Sequence, residues 1–176
     1  MLQLNALPAP MPAWGHDLRP GTVVLFRFPC EEEHPTDEPK SRTCLILEVE
    51  DHAGSRFVEI AYGTSTDTRA NIGDEFRIAA PDEMAVAGIR RPTRFICARR
   101  VWVTLDHPGW DINPKHPTPV VGYLPPAAMR KMNAIRTRIH ARRGIIADRR
   151  AARRTEFTVE HRRRRAITRP GKAVRG

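Results

Sequence analysis

TCLILEVEDHAGSRFVEIAY, residues 43–62, decides the fold class of this chain. Its two halves, 43–50 and 56–62, are rich in β-branched and aromatic residues, and Ala53-Gly54-Ser55 supplies turn chemistry between them. That is the pattern of two antiparallel strands joined by a tight turn. Working outward, TVVLFRF at 22–28 reads as a buried strand that ends at the breaker Pro29. Residues 75–78 make a short strand. RFICARRVWVTL, 94–105, makes the longest, with Phe95, Val101 and Val103 placed on one parity. Residues 118–123 add an edge strand, because Pro119 cannot donate within a central ladder. Five or six short strands joined by turns argue for a mainly β fold built as a small antiparallel barrel. After Pro125-Pro126, Ala128, Met132, Ile135 and Ile139 recur at helical spacing, which predicts an amphipathic helix over 126–143 capping that barrel, with Gly144 near its end.

The chain has 176 residues, 40% of them apolar, enough for one compact domain. Charges such as Arg27, Arg42, Glu59, Arg77 and Arg100 interrupt every apolar run before it reaches the roughly 18 residues a membrane span needs. No membrane partner is expected. Lys and Arg are absent before Arg19, and Pro8, Pro10 and Pro12 interrupt any signal-peptide core, so a cytoplasmic location is expected. Residues 1–18 read as a proline-rich arm, 19–143 as the folded domain and 144–176 as an Arg-rich extension. Residues 31–41, with Pro35, Pro39 and five acidic residues, read as a long exposed loop. Cys44 and Cys97 sit in apolar strands and are expected to be reduced core thiols.

Charge divides the chain. Residues 1–140 hold 17 basic against 17 acidic residues, whereas 141–176 hold 13 against 3, so the net charge of +10 resides in the extension. Arg149, Arg150, Arg153 and Arg154 there would contact a polyanion such as RNA or DNA; a solvated extension is the alternative.

The order of features narrows the function: PGTVVLFRFP from Pro20, an acidic loop, KSRTCLILEVE from Lys40, VEIAYGTS from Val58, RPTRFICARRVWV from Arg91, then GYLPPAAMRKMNAI from Gly122. In that order, residues 19–143 resemble the PemK/MazF family of toxin endoribonucleases. The resemblance implies an SH3-like barrel, homodimers, and RNA cleavage that inhibits growth until an antitoxin protein neutralises it. It also implies roles for Arg42, Thr64 and Arg94 at the cleaved phosphate, with His34 joining from the loop. Ser65, Lys40 and the arginines of the extension would bind substrate. Two positions depart from the family: Thr43 follows Arg42 where relatives carry Pro, and Ile96 stands where they carry an acid.

Cleaving RNA through its own 2′-hydroxyl needs a base, an acid and donors for the charge growing on phosphate, with no cofactor or metal. A guanidinium offers a planar fork of donors and stays charged, which suits Arg42 to clamping phosphate; otherwise it is a surface residue at a strand start. Thr64 and Ser65 would donate to phosphate or ribose oxygens, or else are ordinary turn residues. Arg94 is either a second cation or a cross-strand charge partner. Because Ile96 cannot move a proton, either a loop group such as His34 or Glu33 does so, or the protein is a weakened barrel that binds nucleic acid or a protein partner without efficient cleavage. Competing chemistries find no support: Cys30 with His34 and His107 with His116 do not complete a four-ligand metal pattern, no Gly-rich phosphate loop occurs, and Cys97 lies within an apolar strand.

Overall fold

A computed structural model describes residues 10–30, 39–112 and 114–167, with side chains as far as residue 151. Six strands form one antiparallel sheet: β1 (Thr22–Arg27), β2 (Ser41–His52), β3 (Ser55–Thr64), β4 (Glu75–Ile78), β5 (Thr93–Thr104) and β6 (Val120–Tyr123). Their order is β4-β5-β3-β2-β1-β6, so β4 and β6 are the edges of a sheet curled into a half-barrel. All six expected strands are present, and β6 holds the edge position that Pro119 dictates. A short helix, α1 (Pro81–Val86), lies between β4 and β5, and a long one, α2 (Pro126–Ile167), follows β6. No helix among the described residues is long and apolar enough to cross a membrane.

The inner face of the sheet buries Val24, Phe26, Cys44, Ile46, Val58, Ile60, Tyr62 and Val103. The core begins earlier than the sequence predicts. Residues of the arm form a 3-10 helix, Ala13–Asp17, whose Trp14 is buried with its ring 5.0 Å from that of Trp110. Arg56 fixes this turn by donating to the Gly15 carbonyl at 2.9 Å while its other nitrogens engage Asp51. Prolines exclude a regular α-helix or central strand here but tolerate a single 3-10 turn, and burying a Trp ring is a large apolar gain.

Strand β5 also departs from the expected alternation. Between Ala61 and Tyr62 the β3–β5 register shifts, so that Ala61 opposes Arg100 while Tyr62 opposes Ile96. The bulge reverses the facing of the residues on either side of it. Ile96, not Phe95, therefore joins Val103 in the inner core, and Phe95 lies against Phe76 with ring centroids 5.7 Å apart.

The outer parity is buried as well: Val23, Leu45, Leu47, Ala61, Phe95 and Cys97 are all nearly inaccessible. The first turns of α2 pack with the sheet, burying Ala128, Met132 and Ile135, while Arg136 pairs with Glu48 of β2 and Met129 lies against Gly21. The described residues as far as Arg136 form one compact unit, and those from Thr137 onward form another. In the second unit the helix does not end near Gly144 but continues to Ile167. An interior glycine costs a helix only about 1 kcal/mol, which the surrounding Ala and Arg residues, strong helix formers, outweigh. Cys44 and Cys97 are buried thiols, and burial pushes both up to about 12.

Candidate functional site

Glycines determine where backbones can meet. Gly63, near the end of β3, lies so close to the start of β2 that a Cβ there would sit 1.9 Å from the Thr43 carbonyl oxygen. This approach brings Arg42 and Thr43 to one wall with Thr64 and Ser65. A second approach builds the opposite wall. Gly88, in the left-handed region at φ +64, would place a Cβ 1.9 Å from the Val121 carbonyl, and a Cβ on Gly122 would strike Ala87. The turn after α1 is thereby held on β6, and Arg90 and Arg91 follow it directly.

Between these walls lies an open groove of about 620 Å³. Its third side is the segment before β6. The Leu25 amide donates to the Pro119 carbonyl at 2.8 Å, which ties the segment to β1, and within the segment the Val120 amide donates to the Thr118 hydroxyl at 3.2 Å. Arg42, Arg90, Arg91 and His116 line the groove together with the hydroxyls of Thr64, Ser65, Thr66 and Thr118. No carboxylate is among the described lining residues. Asp111 stands at the rim, where the Ser41 hydroxyl donates to it. Leu25, Ile89, Val120 and Val121 supply the apolar part of the lining.

Arg42 is held over the Tyr62 ring, 5.5 Å from its centroid, and Arg99 lies 4.3 Å from the same ring. Such cation–π contacts orient a guanidinium without neutralising it. Burial pushes the Tyr62 phenol above its ordinary range, with Arg42 pulling the other way.

Of the residues singled out from the sequence, Arg42, Thr64 and Ser65 meet in the groove. Arg94 does not line it. Its guanidinium is buried and bonded to Glu75 at 2.7 Å, to the Thr66 carbonyl at 2.9 Å and to both the carbonyl and hydroxyl of Thr68. It is thus the cross-strand charge partner of Glu75, and it secures the loop that presents Ser65 and Thr66. Lys40 is exposed and lies outside the groove lining. His34 and Glu33 lie outside the described residues, as do the side chains of Arg153 and Arg154. Arg149 and Arg150 are exposed on α2 in the second unit. Ile96 is buried in the core, 3% exposed, so an acid at this position would face apolar side chains and not the groove.

Sequence reasoning missed Arg90 and Arg91. The signal was Gly88-Ile89-Arg90-Arg91-Pro92, a doubled cation between two turn-formers just before a strand. It also weighed His116 only as a metal partner for His107. The two histidines have separate surroundings: the His107 ring lies 5.3 Å from Phe26 and its Nδ1 accepts from the Gly109 amide. No group of three or more metal-ligating side chains occurs among the described residues. Neither a scan against protein-family models nor a search of curated proteins found a match to this chain.

Proposed function

We propose that the groove binds single-stranded RNA and cleaves it by attack of the RNA's own 2′-hydroxyl, the activity of the toxin endoribonucleases that residues 19–143 resemble. The observation that carries this reading is the composition of the lining: three arginines and a histidine together with Ser and Thr residues, and no carboxylate among the described lining residues. Such a lining attracts phosphate and offers it several donors. The curled six-stranded sheet with its helix is compatible with the SH3-like barrel that the resemblance implies. An antitoxin partner, a homodimer and a cytoplasmic setting belong to the same proposal.

Purified protein incubated with a defined single-stranded RNA in EDTA is expected to yield products ending in a 2′,3′-cyclic phosphate and a 5′-hydroxyl. Cleavage that disappears in EDTA would overturn the mechanism. The second reading, a weakened barrel that binds RNA and does not cut it, is favoured by one observation: the position where relatives carry an acid is a core isoleucine here. Tight RNA binding with no products would select it.

The second unit adds a further expectation. Arg142, Arg143, Arg149 and Arg150 are exposed on its helix, and residues 141–176 hold 13 basic against 3 acidic residues. Deleting 145–176 is expected to weaken RNA binding and to flatten the dependence of log K on log salt, by about 0.7 for each phosphate that is no longer neutralised. Titrations at several salt concentrations measure this. An unchanged slope would assign the extension another role.

A further inference from the structure

We infer that His116 is the proton-transfer residue of the groove, the group that takes the 2′-hydroxyl proton. This rests on the RNA-cleavage reading above and supplies the base that the position of Ile96 cannot.

The attacking 2′-oxygen must lose a proton as it bonds to phosphorus, and a side chain that titrates near the working pH is best suited to accept it. Arginines remain charged, and Ser and Thr hydroxyls are far too weakly acidic to exchange a proton in that range. His116 is the one described lining residue of a type that titrates near neutrality. The neighbouring groups are engaged in other contacts: Asp111 at the rim accepts from the Ser41 hydroxyl, Glu75 forms an ion pair with Arg94, and burial pushes Cys44 up to about 12.

Placement supports the same role. Three residues after His116, the Pro119 carbonyl accepts from the amide of Leu25, itself a lining residue, and the Thr118 hydroxyl accepts from the Val120 amide within the same segment. Pro117 and Pro119 restrict the intervening backbone. His116 therefore lines the same groove as Arg42, Thr64 and Ser65, on a segment bonded to β1.

In the step this implies, an imidazole nitrogen of His116 takes the 2′-hydroxyl proton as the 2′-oxygen bonds to phosphorus. The P–O5′ bond breaks, its electron pair goes to the 5′-oxygen, and that oxygen takes a proton from water. A 2′,3′-cyclic phosphate and a 5′-hydroxyl result, with no change of oxidation state.

The test compares the full-length protein with His116→Ala at pH 7.5, measuring kcat on single-stranded RNA and the Kd of a 2′-deoxy analogue that cannot be cut. The expected result is a kcat lower by about 10²-fold or more with an unchanged analogue Kd. Free imidazole should restore part of the missing rate, and the acid limb of the pH–rate profile should vanish. An unaltered rate and profile in the variant would overturn the assignment while leaving RNA cleavage intact. So would a loss of analogue binding equal to the loss of rate, which would make His116 a binding residue. Failure of the unsubstituted protein to cut RNA that it binds would overturn the cleavage reading, and this inference with it.

Discussion

Cleavage by Arg42→Ala is expected to fall about 10²- to 10³-fold, the scale on which losing one fixed donor to a developing oxyanion acts in other enzymes. Arg42 starts β2 at the edge of the inner core, and the Tyr62 ring beneath it holds its guanidinium in the groove before any ligand arrives. That preorganisation makes the donor effective, because no reorientation is needed when charge develops on phosphate. The cation–π contact with Tyr62 contributes about 1 kcal/mol or less to stability at a partly exposed site, so its loss alone should leave the fold intact. Arg42→Lys should be intermediate in rate: it keeps the charge and loses the planar fork. Initial rates together with thermal melting separate the two effects. A variant that cuts RNA as fast as the unsubstituted protein would remove Arg42 from the chemistry and leave the groove without its phosphate clamp.

Arg94→Ala should act on the fold. The Arg94 and Glu75 side chains are 6% and 14% exposed, and Arg94 also satisfies the backbone carbonyls of Thr66 and Thr68. Removing it leaves a buried carboxylate without its counter-charge, a change that typically costs about 3–5 kcal/mol. Urea denaturation measures the loss. Replacing both partners, as Arg94→Met with Glu75→Leu, should recover much of it, because the cost of the single variant lies in the uncompensated charge. The double variant would still release the Thr66–Thr68 loop, so its RNA affinity should remain below that of the unsubstituted protein even where its stability returns. An Arg94→Ala variant within about 1 kcal/mol of the unsubstituted protein would show that Glu75 finds solvent or another cation.

These two arginines show how far local sequence reaches. Arg42 was singled out through the family resemblance, since a charge at a strand start before a continuous apolar run reads equally well as a surface residue. Arg94 has the same local signature, a charge at the head of a strand, yet its partner is a glutamate 19 residues away on the adjacent edge strand. Only the β4–β5 register, in which Arg77 opposes Arg94 and Glu75 opposes Ile96, settles what its guanidinium meets.

By itself the sequence determined the six strands, the first turns of the capping helix and the division between a neutral body and a basic extension. Each of these follows from interactions between residues a few positions apart: β-branched runs, period-two or period-3.6 alternation, and turn-formers that end them. The tertiary structure decided the rest. A bulge in β5 turned Ile96 into the inner core and Phe95 to the other, equally buried face, an insertion that alternation alone does not reveal. Trp14 joined the core because Trp110, distant in sequence, was there to receive it. Gly63, Gly88 and Gly122 let backbones approach where any side chain would collide, and those approaches set Arg42, Arg90, Arg91 and His116 around one cavity. Membership of the groove thus depends on strand register and on backbone packing between segments far apart in the chain, and neither is encoded in the pattern of any single segment.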